Sequence, residues 1–290
     1  MHPAPSVIIF TTFSGIGFGL LFWIGMGALV PTGFGAFIWF TIAYLFAVGG
    51  LLSSTFHLGH PERAYKAFSQ WKTSWLSREG VAAVASLIVM ALYGAGLVFL
   101  ETRYALLGYL GALGSIATVY TTSMIYAQMK TVPRWKHWST PALFLTLSLG
   151  GGALMGGQVT EAMLLIAIAG GVQIYAWLSG DGRLAASGTT LASATGLGKI
   201  GTVRAFEPPH TGTNYLMREF IHQVGRKHAR NLRIIALGLG FVAPIALLLL
   251  PFNHMFAALA VLAHIAGVLA LRWLFFAQAE HVVGFYYGKR

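Results

Sequence analysis

The chain has 290 residues, 56% of them hydrophobic and only 9% charged, with a mean hydropathy of +0.69 and a net charge of +11. Soluble domains carry about 25% charged residues, so a water-soluble globular domain is excluded. There is no cysteine, which excludes a disulfide or a thiolate-held iron–sulfur cluster in this chain.

A helix that crosses a bilayer needs roughly 20 apolar residues. Eight windows meet or approach this: 8–29, 36–57, 81–100, 104–127, 140–157, 162–179, 234–251 and 254–276. They predict an all-α, polytopic integral membrane protein, a single bundle of eight transmembrane helices over residues 1–290 with no domain linker. The first window has no basic stretch ahead of it, and Val30-Pro-Thr is not a signal-peptidase site, so it reads as a retained span. Gly15 with Gly19, Gly108 with Gly111, and the run from Gly150 to Gly157 have the small-residue spacing of close helix packing in lipid.

Between the second and third windows lies a polar segment, Thr55 to Gly80. His57 ends span two, His60 follows, and Pro61 stops the helix. Glu79 opens span three beside Arg78, and Trp71 and Trp75 lie in the turn between. Read as a hairpin, the segment brings His57 and Glu79 to one membrane depth near the interface, where an ionisable pair is a functional candidate. Quinone chemistry needs such a set. Its redox change moves two electrons and two protons, a histidine can hydrogen-bond a carbonyl oxygen, and a carboxylate can pass protons to water. Aromatic rings can pack on the head group. The predicted quinone contacts are therefore His57, Arg78, Glu79, Trp71 and Trp75, with His57 and Glu79 handling protons. The tryptophans also suit an interfacial belt, and Arg78 suits a side chain snorkelling to lipid phosphates.

The longest polar stretch is 180–233. Its first half reads as irregular. Gly196-x-Gly198-x-x-Gly201 follows no strand, so the dinucleotide pattern has no supporting context. Thr213 reads as the N-cap of a basic amphipathic helix over 214–233, with Leu216, Phe220, Ile221 and Val224 opposite Arg226, Lys227, Arg230 and Arg233. That helix suits an anionic lipid surface or a docking surface. Further on, His264 lies mid-span, where a lone histidine usually bonds a neighbouring helix, and Glu280 and His281 follow that span. Pairing His264 with His57 for haem needs two histidines at one depth, which the predicted positions do not provide. No metal site is predicted. Glu161 reads as a carboxylate of the outer face.

With eight spans, both termini and the segments 58–80, 128–139 and 180–233 share one side. Counting Arg272 near that face, 18 of the 19 Lys and Arg lie there, leaving only Arg103 opposite. The positive-inside rule then makes both termini and the polar segment cytoplasmic. A transporter is the main reading of another class. It would show internal repeats and midplane charges, whereas the polar groups here gather at one interface.

Several motifs carry a family resemblance. His57-Leu-Gly-x-Pro61-x-Arg63-Ala64 and Ser74-x-Leu76-Ser77-x-Glu79 resemble the membrane-anchor family of dimethyl sulfoxide reductases. Thr131-Val-Pro-x-Trp135, Trp138-x-Thr-Pro141 and the aromatic end of span eight add to it. The resemblance implies the anchor of a three-subunit complex in a bacterial cytoplasmic membrane. In it, a molybdopterin catalytic subunit passes electrons through a subunit with four [4Fe-4S] clusters to the anchor, where ubiquinone or menaquinone reacts, generally without haem. It also implies quinone-site roles for His57 and Glu79. Arg63, Lys66, Lys72, Arg218, Arg226, Lys227 and Arg230 then form the docking face for the iron–sulfur subunit. The loop Val30–Ala36 has no basic residue, and the long basic loop sits on the expected cytoplasmic side. Together with His60 and the Thr211–Tyr215 stretch, these features look more like the cytoplasm-facing, sulfite-oxidising branch than the typical anchor that oxidises menaquinol.

Overall fold

The computed structural model describes residues 1–207, 212–221 and 228–287, and of His57 the backbone alone. Eight long apolar helices lie at the eight predicted windows: α1 (Pro5–Met26), α2 (Gly33–Ser53), α3 (Trp75–Phe99), α4 (Ala105–Ala127), α5 (Ser139–Met155), α6 (Val159–Gly180), α7 (Ala229–Leu248) and α8 (His254–Ala277). Seven are long and apolar enough to cross a membrane; α5, with 17 residues, is the exception. At 1.5 Å per residue α5 rises about 25 Å, short of a hydrocarbon core of about 30 Å. Its end is set by Gly156 and by Gly157, whose φ of +73° stops a right-handed helix. The all-helical membrane fold is as expected, but of the eight expected spans only seven are long enough among the described residues, α5 being a shorter apolar helix.

The bundle is organised around α1, which packs on α2, α4 and α5, while α3 pairs with α4, α5 with α6, and α7 with α8. Glycine makes these approaches possible. A Cβ on Gly19 would lie 1.8 Å from the Ser148 carbonyl oxygen of α5, and one on Gly267 would lie 2.1 Å from the Gly240 nitrogen of α7. The Gly15, Gly19, Gly108, Gly111 and Gly152 positions all face a neighbouring helix, as their spacing predicted.

Three predicted boundaries change. Helix α3 begins at Trp75, not 81, because the Ser74 side chain caps it by accepting from the Ser77 N–H. Glu79 therefore sits one turn inside the helix and not at its mouth. The helix expected over 214–233 is capped by Asn214 in place of Thr213, and it stops at Phe220, where Ile221 leaves helical geometry (φ −116°, ψ 58°). Residues 222–227, including Val224, Arg226 and Lys227, lie outside the described residues. Finally, α7 starts at Ala229, not 234, which takes Arg230 and Arg233 into its first turns.

Long-range bonds gather several polar segments at one end of the bundle. The N-terminal ammonium donates to the Ala279 carbonyl (2.8 Å), and Ser53 Oγ donates to the Ser6 carbonyl (3.0 Å). The His2 N–H donates to the Glu219 carbonyl (2.7 Å), and the Val282 N–H to the Thr131 carbonyl (3.0 Å). Trp135, of the predicted family motif, is buried and donates its Nε1–H to the Phe275 carbonyl (2.9 Å), fastening the 128–138 turn to the end of α8.

Candidate functional site

The polar segment leaves α2 through a 3-10 turn, Ser54–His57, and re-forms as an exposed 3-10 helix, Pro61–Phe68. His60 and Glu62 pair on its surface (Nδ1···Oε1 2.9 Å). The segment is tied down by the first turns of α3. Ser77 Oγ donates to the Ala67 carbonyl, and the Phe68 ring covers Gly80, where a Cβ would meet it at 3.0 Å. Arg78 donates from Nε to the Trp71 carbonyl (3.0 Å) and from Nη2 to the Lys72 carbonyl (2.6 Å), and its guanidinium lies 4.4 Å over the Trp75 ring. The bonds of Arg78 thus hold the loop closed.

Glu79, the next residue, points the other way. It is 4% exposed, and its carboxyl meets Thr122 Oγ1 of α4 at 2.5 Å. Thr122 Oγ1 also lies 2.9 Å from the Thr118 carbonyl, yet it has a single hydrogen. If that hydrogen goes to the Thr118 carbonyl, the contact with Glu79 must be made by a carboxyl proton. If it goes to Glu79, the carboxyl can be ionised. The geometry therefore accommodates Glu79 on either side of a proton transfer. Among the described residues, no basic side chain pairs with it.

One turn along α4 from Thr122 stands Tyr126, packed among the rings of Trp135, Phe144, Phe275 and Phe276 at 5.3 to 5.7 Å. Beyond it is Arg272. The charge count placed it near the polar face, but α8 continues to Ala277, and Arg272 is 3% exposed inside the bundle. Its guanidinium carbon lies 3.6 Å from the Phe144 ring centroid, and its Nε has no hydrogen-bond partner among the described residues. Buried ionisable groups at membrane depth are costly and mark function. Thr122, Tyr126 and Arg272 were missed from sequence. The one available signal was an arginine inside an apolar window.

The predicted site residues divide accordingly. Arg78, Trp75 and the Trp71 backbone come together at the loop, whereas the Trp71 ring is 56% exposed. Glu79 faces the interior with Thr122. The His57 backbone closes the turn after α2, and its side chain lies outside the described residues. Of the predicted docking residues, Arg63, Lys66, Lys72, Arg218 and Arg230 are exposed, while Arg226 and Lys227 lie outside the described residues. Phe56, Tyr65 and Trp71 are also exposed on the polar segment. His264 behaves as predicted: it is buried, and its Nδ1 lies 2.7 Å from the Gly240 carbonyl on α7. That carbonyl belongs to a π-helical turn, Gly238–Val242, where the regular ladder is interrupted.

An apolar groove of about 680 Å³ runs along α2 and is closed on its other side by the C-terminal turns of α3, away from the loop. Phe40, Tyr44 and Leu52 line one wall, with Ala91, Gly94 and Val98 on the other. Leu52 lies one turn before Phe56 and the His57 backbone. Tyr44 Oη braces the two helices by donating to the Leu87 carbonyl.

Comparison with known proteins adds two findings. The family model described as the DMSO reductase anchor subunit (DmsC) matches residues 1–278. The chain is also 30% identical to a subunit of the sulfite dehydrogenase of Allochromatium vinosum, an alignment covering 99% of each chain. No solved structure matches.

Proposed function

Because this chain belongs to the DMSO reductase anchor subunit family, we propose that it is the membrane anchor and quinone-reacting subunit of a three-subunit molybdenum oxidoreductase. The observation that carries the proposal is Glu79: a carboxyl enclosed by membrane helices, with no cation beside it among the described residues, held by a hydroxyl that suits either protonation state. Such a group is poised to exchange protons at membrane depth.

In this proposal, the turn ending at His57 and the first turn of α3 frame the quinone head. His57 hydrogen-bonds a carbonyl oxygen, Glu79 delivers or removes a proton, and Arg78 keeps the loop closed over the site. The α2/α3 groove takes the isoprenoid tail, having the apolar lining and volume of a small-molecule site. The exposed Arg63, Lys66, Lys72, Arg218 and Arg230 receive a four-cluster iron–sulfur subunit, which in turn holds the molybdopterin subunit. All eight helices span the cytoplasmic membrane of a bacterium, and both termini face the cytoplasm, in keeping with the positive-inside rule.

The likeness to a sulfite dehydrogenase subunit favours sulfite as the electron source. The overall reaction is then sulfite plus water plus quinone giving sulfate plus quinol, and the two protons gained by quinone pass at this chain's site. The family description supports a second direction, quinol oxidation coupled to S-oxide reduction. Purification of the chain with its partners tests both. The expected result is a co-purifying large subunit that turns over sulfite with quinone, and a His57→Ala variant that loses this coupling. Normal quinone-coupled turnover and quinone affinity in His57→Ala would sink the site assignment.

A further inference from the structure

The polar end of the bundle carries a second charged cluster, which the quinone chemistry does not use. Asp181, the first residue after α6, accepts from Arg134 Nη2 at 2.7 Å and from Arg233 Nη2 at 2.8 Å, both through Oδ1. Its Oδ2 accepts from Arg233 Nη1 at 3.1 Å. Arg183 joins them by donating to the Arg134 carbonyl (3.0 Å) and to Ser179 Oγ. Two guanidinium groups thus bracket one carboxylate, and a third, that of Arg183, is held on the Arg134 backbone beside them, so the cluster carries two positive charges in excess.

That excess is partly enclosed. The Arg134 side chain is 14% exposed and that of Arg233 26%. The Nε of each is buried without a hydrogen-bond partner among the described residues. Burial and the nearby Arg134 hold Arg183 below the usual guanidinium range, even with Tyr175 acting the other way. A cluster of this kind calls for an anion.

Its surroundings identify which. A narrow cleft at the ends of α5, α6 and α8 is lined by Arg134, Arg183, Gln173 and Gln278 together with apolar side chains such as Leu143 and Leu274; Arg233 is not in its lining but stacks over Trp177, which is. Beside it His137, Trp138 and Tyr175 stack, the Trp138 and Tyr175 rings 5.2 Å apart and both exposed. Amphipathic aromatics of this kind mark the headgroup level of a bilayer. On the last turns of the same helix α6, Ile174 and Leu178 are exposed at 46% and 79%. An anionic headgroup with hydrocarbon beside it matches this combination of guanidinium groups, interfacial rings and exposed aliphatic side chains.

We propose that Arg134, Arg183 and Arg233 bind the phosphate of an anionic phospholipid, whose acyl chains lie along Ile174 and Leu178. Basic pockets between membrane helices are known to take such headgroups. Asp181 orients two of the arginines and at the same time competes with the phosphate for them.

The test uses the full chain, purified in detergent with its co-purifying subunits and stripped of lipid. Thermal stability is titrated with dioleoylphosphatidylglycerol, dioleoylphosphatidylcholine or inorganic phosphate. Phosphatidylglycerol is expected to raise the melting temperature by several degrees, and the other two are not. Arg183→Gln should weaken the apparent affinity for phosphatidylglycerol about fivefold, from a contribution of about 1 kcal/mol per basic residue at an anionic surface. Asp181→Asn removes the competitor and should tighten it by a similar factor, the reverse of what a purely structural ion pair predicts. Equal responses to phosphatidylcholine, or unchanged affinity in both variants, would overturn the proposal. So would a response to inorganic phosphate matching that to the lipid, which would mean a free-anion site. Loss of a partner subunit from Arg183→Gln with lipid affinity intact would assign the cluster to protein docking instead.

Discussion

Glu79→Gln separates the proton-transfer role of this side chain from its packing role. The substitution keeps the size and the oxygen that meets Thr122, and it removes the carboxyl proton. General acid–base catalysis contributes about 10²–10⁴-fold in rate, equivalent to roughly 3–5 kcal/mol of barrier. The structural penalty is smaller. The new amide N–H groups find only Thr122 among the described side chains, and a buried unpaired donor costs about 1–3 kcal/mol. Thr122→Val leaves the carboxyl and deletes one hydrogen bond worth about 0.5–1.5 kcal/mol, so its rate should fall by about tenfold at most. The expected order is therefore wild type, Thr122→Val, then Glu79→Gln at about a hundredth of the wild-type rate or less. The assay is sulfite-dependent reduction of a short-tailed quinone in membranes, with reduction of a soluble dye by the partner subunits as the internal control. A Glu79→Gln variant within about threefold of wild type, dye rate unchanged, refutes proton transfer at Glu79. Quinone and dye rates falling together would show instead that the residue serves assembly.

Arg78→Ala should loosen the 58–74 loop by removing two carbonyl contacts and the contact with Trp75; at about 0.5–1.5 kcal/mol per hydrogen bond, amide exchange in that loop should accelerate roughly 5- to 100-fold while α3 stays protected. Gly49→Leu projects into the α2/α3 groove, where a Cβ meets nothing within 4 Å; it should raise the KM for long-tailed quinones several-fold and leave tail-less analogues unaffected, and equal effects on both would remove the tail from the groove. Burial pushes the Asp181 carboxyl up, but hydrogen bonds and charge from Arg233 and Arg134 outweigh it, so the net shift is downward. A folded-state value below the unfolded one means that its stabilisation is present above the ordinary carboxylate range near pH 4 and is lost as pH falls through the lower folded value; Asp181→Asn should be less stable than wild type at neutral pH and lose that acid-dependent step. Arg272→Met should be tolerated for folding, since a buried charge with no ion-pair partner among the described residues is replaced by an apolar chain, yet should change the pH profile of quinone turnover; an unchanged profile would confine it to packing.

Much of this architecture could be read along the chain because the relevant signals are local. Apolar windows located all eight helices, and glycine spacing located contacts that only close backbones permit. His264, placed mid-window, bonds to the next helix as a lone buried histidine should. Hydropathy windows failed where polar residues belong to a helix. Ser77 and Arg78 close the first turn of α3 and Glu79 opens the second, and a window started by hydrocarbon skips them; the Ser74 cap was the better signal. The same blindness hid Thr122 and Tyr126, whose importance comes from packing between α3 and α8, far apart in sequence. Arg272 was assigned by charge counting to a face it does not reach, because an arginine near a helix end is normally drawn to water. Here the bundle encloses it, with the Phe144 ring against its guanidinium.

The central position of α1 has a consequence for biogenesis. Of the eight helices this one is synthesised first, yet 72% of its apolar window is enclosed by the finished bundle, more than for any other candidate span among the described residues. Its buried face carries Thr11, Thr12 and Ser14 among glycines whose counterparts include Ser148 and Gly152, over a hundred residues later. Although α2 and α4 can cover its other sides earlier, until α5 is made the Gly15 and Gly19 side of α1 has only lipid or the translocation machinery to meet. Nascent chains truncated before residue 139 should therefore hold α1 in an open, protease- or crosslinker-accessible state, and its sequestration should coincide with the emergence of α5. The shortest of the eight helices would then act as the latch that closes the insertion intermediate.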